Sequence, residues 1–179
     1  SVSEGQVWYN TTSDTFKTTL VNEAWSSATA LSTAIYNNAG AGTQTAALST
    51  GGTQSPSVAR STNTEEYNGS GWSTGGTLNT GRFALGGFGT QTAAYVAGGN
   101  VSPGGGVTNV TESYNGTSWT SMSSPSNLNT SISYMTQSTL GTSTAGLMCG
   151  GTPPTTGKTE EWNGSAWSES GDLSTARYR

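Results

Sequence analysis

Residues 64–73 read TEEYNGSGWS, residues 111–120 read TESYNGTSWT, and residues 159–168 read TEEWNGSAWS. A chain that spells itself three times must fold as repeated units, each covering the hydrophobic face that its neighbour cannot bury alone. Trp25, Trp72, Trp119 and Trp167 set the period, lying 47, 47 and 48 residues apart. Two further markers keep step. One is GTQTAALSTGG from Gly42, GTQTAAYVAGG from Gly89 and GTSTAGLMCGG from Gly141; the other is LSTA at Leu31, LNTG at Leu78, LNTS at Leu128 and LSTA at Leu173.

Distances between markers separate scaffold from loop. From Trp to the next Gly-Thr the counts are 17, 17 and 22, and from Gly-Gly to the next Trp they are 21, 21 and 17, so the insertions fall between rigid strands. Pro56, Pro103 and the pair Pro153 and Pro154 follow a Gly-Gly, marking that connection as a variable surface loop. Ser55, Pro56, Ser102, Pro103, Pro153 and Pro154 are therefore the candidate recognition residues. Each period reads as four short strands, in the second copy 82–89, 92–97, 109–115 and 118–121. Four strands in a period near 47 residues is the arithmetic of a β-propeller blade. The expected organisation is an all-β chain: a hairpin and partial blade over 1–30, full repeats over 31–74, 75–121 and 122–170, and the start of another blade over 171–179. Three full blades fall short of the usual four to eight, so a longer polypeptide or additional subunits are expected to complete the arrangement.

Composition agrees with the all-β reading and removes several functions. Charged residues are 9% of the chain, and its polarity resides in Ser, Thr, Asn and Gly, which favour turns over helices. A net charge of −4 gives no electrostatic footprint for nucleic acid or anionic lipid. No apolar run approaches the roughly 20 residues of a helical membrane span. The chain has no His, which removes the commonest metal ligand and general base. Its single cysteine, Cys149, excludes an intrachain disulfide and aligns with Thr50 and Ala97 as a small packed residue.

The decapeptide reads as a hairpin, because Asn-Gly suits a turn with positive φ at both central positions. A two-residue turn at Asn68 and Gly69 places Glu65 opposite Trp72, with Tyr67 on the same face. The equivalent clusters are Glu112, Tyr114 and Trp119, then Glu160, Trp162 and Trp167. A cluster present in every repeat is best explained by a need of every repeat: it packs one blade on the next, in preference to forming an aromatic platform for a sugar. The Asn-Gly-Ser and Asn-Gly-Thr triplets also match the glycosylation acceptor pattern, but turn chemistry already requires Asn-Gly.

A Gly-Gly closing the second strand, a Tyr on the third and a Trp on the fourth resemble the Kelch repeat of galactose-oxidase-like propellers; Trp162 departs from the pattern at the Tyr position. The opening EGQVWYN resembles a segment of bacteriophage tail-fibre and other virion proteins, and the GTQTAA and TExYNGTSW repeats resemble Kelch-type virion proteins of marine phages. That resemblance implies a virion structural protein at the particle surface, a tail fibre or other appendage. Its implied partners are other virion proteins or copies of itself, and host surface glycan or receptor.

Catalytic readings find little support. A copper site of the galactose-oxidase kind needs His, and sialidase chemistry needs an arginine cluster with paired carboxylates. Arg82 and Arg177 instead share one repeat position, which suits a structural role. Acidic residues are too sparse for an Asp-rich calcium loop, and the glycines at 104–106 lack the context of a phosphate loop. No catalytic residue, metal or cofactor is expected. The alternatives are a fragment of a carbohydrate-active or oxidising propeller enzyme with its catalytic residues elsewhere, and an intracellular Kelch adaptor.

Overall fold

The computed structural model describes residues 7–18, 27–54, 59–101, 106–135 and 141–178, and these contain strands and turns but no helix. Strands β1 (Val7–Asn10) and β2 (Thr15–Thr18) pair antiparallel around the turn at 11–14, within the hairpin region expected over 1–30. Trp25, within the partial blade expected over 1–30, lies outside the described residues.

Each of the three repeats forms a four-stranded antiparallel sheet in simple sequential order. The short β3 (Ile35–Tyr36) precedes the first sheet, which consists of β4 (Ala39–Thr43), β5 (Ala46–Thr50), β7 (Thr64–Tyr67) and β8 (Trp72–Thr74); β3 pairs separately with β6 (Thr53–Gln54). The second sheet is β9 (Gly86–Thr90), β10 (Ala93–Ala97), β11 (Thr111–Tyr114) and β12 (Trp119–Ser121). The third is β13 (Gly141–Thr142), β14 (Ala145–Cys149), β15 (Thr159–Trp162) and β16 (Trp167–Glu169). The expected 82–89 strand begins four residues late, because the chain first turns through Ala84 at φ 54°. Asn37 and Tyr134 hold the same left-handed place before the other two sheets, at φ 55° and 54°. The positive φ is secured by a ladder across the repeats: Ala84 N donates to Asn37 O at 2.8 Å and Tyr134 N to Ala84 O at 2.9 Å.

The hairpin register corrects the sequence expectation. Tyr67 pairs with Trp72, Glu66 with Ser73 and Glu65 with Thr74, so four residues, not two, make the turn. Asn68 Oδ1 accepts from Ser70 N and Gly71 N, each at 3.0 Å, while Gly69 takes φ 91°. The side-chain amide closes a wider loop than a type I′ turn. Shifting the pairing by two residues keeps side chains on their faces, so Glu65, Tyr67 and Trp72 still share one.

Two hydrophobic layers hold the three sheets together. Ala39, Ala41 and Leu48 of the first sheet pack with Leu85, Val96, Tyr114 and Trp119 of the second repeat. Phe88 and Ala97 on the opposite face of the second sheet pack with Met148, Trp162 and Trp167 of the third. Close approach requires glycine at the contact: a Cβ on Gly146 would stand 2.6 Å from the Phe88 ring. Phe88 meets Trp167 edge to face with ring centroids 5.6 Å apart.

Candidate recognition surface

Of the three repeated carboxylates, Glu112 and Glu160 lie in the joints between sheets, and Glu65 lies on the first sheet against the lead-in segment. Glu112 Oε2 accepts from Asn79 N and Asn79 Nδ2, both at 2.8 Å. Glu160 Oε2 accepts from Asn129 N at 2.8 Å and Asn129 Nδ2 at 3.0 Å, while its Oε1 accepts from Thr130 N at 3.1 Å. Glu65 accepts from Ser32 N and Ser32 Oγ, both at 2.9 Å. Each Glu thus binds the residue after the recurring Leu of the lead-in segment, which gives the LSTA, LNTG and LNTS marker its physical purpose. Sequence reasoning missed this pairing. Its signal was present in the offset between partners, 33, 33 and 31 residues.

The aromatic members complete the joints. Tyr114 and Trp119 lie 4.8 Å apart and Trp162 and Trp167 5.6 Å apart, all four buried. Trp119 and Trp167 donate their indole N–H groups back to Thr64 and Thr111 of the preceding sheets. Tyr67 and Trp72, 5.1 Å apart, are only half-buried. These rings present no free stacking platform at the two internal joints.

One joint contains a buried ion pair that its neighbour lacks. Arg82, 1% exposed, pairs with Glu112 and donates to Gly98 O at 3.2 Å, Val110 O at 2.8 Å and Thr80 O at 3.3 Å. Burial pulls the guanidinium down from its ordinary value, while Glu112 opposes that shift. Ile132 holds the equivalent place before the third sheet. A small recess open to solvent lies there among Thr130, Ile132, Met148, Gly150, Lys158 and Glu160. It lies at the repeat position that the Arg82 side chain occupies in the other joint.

The opposite character appears where the second strand of each sheet connects to the third. Arg60, from the first connection, donates through Nη2 to Asn100 Oδ1 at 3.0 Å in the second. Its guanidinium carbon lies 5.2 Å from the centroid of the Phe83 ring, which meets Tyr134 edge to face at 5.9 Å. Arg60, Asn100, Phe83 and Tyr134 therefore link residues from all three repeats at one end. They are not repeat copies of one another: Tyr36 and Ser133 stand at the Phe83 position, and Val107 at that of Arg60. Asn100 is buried and its Oδ1 is taken by Arg60, while Arg60, Phe83 and Tyr134 are half-buried, so the rings and guanidinium are in part exposed at this end.

Pro153 and Pro154 are exposed in the third connection at this end. Ser55, Pro56, Ser102 and Pro103 lie outside the described residues. Among the described residues no three His, Cys, Asp or Glu side chains are grouped to hold a metal ion. No family model and no curated protein matches the chain.

Proposed function

We propose that this chain is a structural component of a bacteriophage virion, a tail fibre or other surface appendage, built of Kelch-type propeller blades. Its loop end contacts host surface glycan or receptor. The observation that carries the reading is the division of labour between the repeats' two kinds of residue. Glu, aromatic and Asn residues recur in the joints and maintain a scaffold, whereas Arg60, Phe83, Asn100 and Tyr134 gather at one end without repeating. A scaffold that holds its shape while its loops vary suits a particle-surface protein. The opening EGQVWYN and the repeat resemblance support the phage assignment.

Mass spectrometry of purified virions tests the placement: the polypeptide should be present, and its absence would end the reading. Exchanging the connections at 53–62, 100–109 and 152–159 while keeping the strands tests recognition. Host adsorption should change with folding intact. Unchanged adsorption would leave the chain only a scaffold.

A further inference from the structure

Asn68-Gly69, Asn115-Gly116 and Asn163-Gly164 place an amide side chain before a residue with no side chain to hinder its backbone nitrogen. That nitrogen can attack the asparagine Cγ. The Gly N–H gives its proton to solvent, a C–N bond forms, and the side-chain nitrogen takes up a proton and leaves as ammonia. Water then opens the resulting succinimide to aspartate or isoaspartate, so water is the only co-reactant. Each event replaces a neutral amide by a carboxylate in a chain of net charge −4. Asn68, Asn115 and Asn163 are all exposed, so solvent reaches each of them.

Ring closure depends on orientation, because the Cγ must turn the face of its carbonyl to the glycine nitrogen. The turns oppose that rotation by holding Oδ1, and they do so unequally. Asn68 Oδ1 accepts three hydrogen bonds, from Ser70 N at 3.0 Å, Ser70 Oγ at 2.9 Å and Gly71 N at 3.0 Å. Asn163 Oδ1 accepts the same three, from Ser165 N at 3.0 Å, Ser165 Oγ at 2.9 Å and Ala166 N at 3.0 Å. Asn115 Oδ1 accepts two, from Thr117 N at 3.0 Å and Ser118 N at 2.9 Å. The residue after the glycine makes the difference: Ser70 and Ser165 add a hydroxyl donor, whereas Thr117 supplies only its N–H.

We propose that these turns lock their asparagines against deamidation, and that Asn115, held by two donors in place of three, is the first of the three sites to be modified. Each donor must be released before the carbonyl can rotate, so the turn with fewest donors opens most often. A rule based on access to the nucleophile gives the opposite order. Gly69 and Gly164 are exposed whereas Gly116 is half-buried, which would make Asn115 the last to react. The inference rests on the turn geometry and is independent of the virion reading.

The test is peptide mapping by mass spectrometry after ageing the 179-residue chain at mildly alkaline pH, folded and in parallel unfolded in urea. In the unfolded chain the three sites should react at similar rates, since the dipeptide is the same. Folding should slow all three by about tenfold or more, the loss of at least two hydrogen bonds being required for reaction. In the folded chain Asn115 should react about threefold or more faster than Asn68 and Asn163, the worth of one hydrogen bond. Ser70→Ala, at an exposed position, should raise the folded-state rate of Asn68 to that of Asn115 and leave Asn163 unchanged. Thr117→Ser should slow Asn115 towards the rate of Asn163. Circular dichroism of both variants should match that of the wild type. Folded rates equal to the unfolded ones, equal folded rates at the three sites, Asn115 reacting last, or a Ser70→Ala chain in which Asn68 is no faster overturns the proposal.

Discussion

The indole N–H of Trp119 donates to the hydroxyl oxygen of Thr64, 55 residues earlier, at 2.9 Å in a fully buried contact. Thr64 Oγ1 also lies 2.7 Å from Thr50 Oγ1, so one hydroxyl ties a sheet to its neighbour while bridging two of its own strands. Trp167 makes the same bond to Thr111 at 3.0 Å. Trp72 has a weaker counterpart, donating to Thr29 O at 3.1 Å in an exposed setting. Trp119→Ala should therefore cost ~3–5 kcal/mol through the lost burial and cavity. Trp72→Ala should cost about 1–2 kcal/mol, because less of its surface leaves water. Urea unfolding of both variants checks the ordering; equal losses would refute the assignment of Trp119 to an internal joint.

Arg82 and Glu112 form a pair that cannot be broken cheaply, since neither side chain reaches water. Arg82→Ala leaves a buried carboxylate with only Asn79 to satisfy it, and should cost ~3–5 kcal/mol. The converse substitution, Ile132→Arg, sets a guanidinium beside Glu160 in place of the buried Ile132 side chain. Buried ion pairs and apolar replacements of similar volume are often close in energy, so Ile132→Arg should change stability by less than about 2 kcal/mol. A crystal structure of the variant should show the guanidinium on Glu160 and Gly150 O. Its expulsion to solvent would show that the two joints are not equivalent.

The repeats made the sheets legible because glycine pairs, Asn-Gly turns and Trp spacing are local or periodic signals. The four strands per period and the shared face of Glu65, Tyr67 and Trp72 follow from such signals. The turn register did not, because Asn-Gly also fits a four-residue loop when the Asn side chain caps it. The cluster of Arg60, Phe83, Asn100 and Tyr134 was not legible either. These residues meet only because adjacent sheets bring their connections together, and they share no repeat position whose recurrence would reveal them.

The corrected turn makes its own prediction. Asn115 Oδ1 accepts from Thr117 N at 3.0 Å and Ser118 N at 2.9 Å, and Asn163 Oδ1 accepts from Ser165 N and Ala166 N, both at 3.0 Å. Replacing either Asn by Ala removes both bonds from an exposed loop, and should cost about 1–2 kcal/mol. Gly116→Ala should cost ~1 kcal/mol, because φ is 88° while the added Cβ would make only ordinary contact with Thr92 at 3.4 Å. Thermal unfolding of the three variants tests this; a neutral Asn115→Ala would show that the amide does not fix the turn.

Tyr114 joins sheet pairing to pH. Its hydroxyl donates to Glu66 Oε1 at 2.5 Å and accepts from Gly76 N at 3.2 Å. Burial first, and then the hydrogen bond to Glu66, raise its ionisation above the ordinary value of 10.0. Below pH 10 the phenol is protonated in folded and unfolded chains alike, so its contribution is fully present. Above that pH the unfolded chain ionises first, and the contribution falls as pH rises towards the folded-state value. Tyr114→Phe should cost ~1–2 kcal/mol at pH 8 by removing the hydroxyl's partners. The stability difference between wild type and variant should then shrink as pH rises from about 9.5 to 11. The other tyrosines are common to both chains and cancel in that difference. Urea unfolding of the pair across this range is the measurement, and a difference that stays constant or grows would contradict a raised Tyr114.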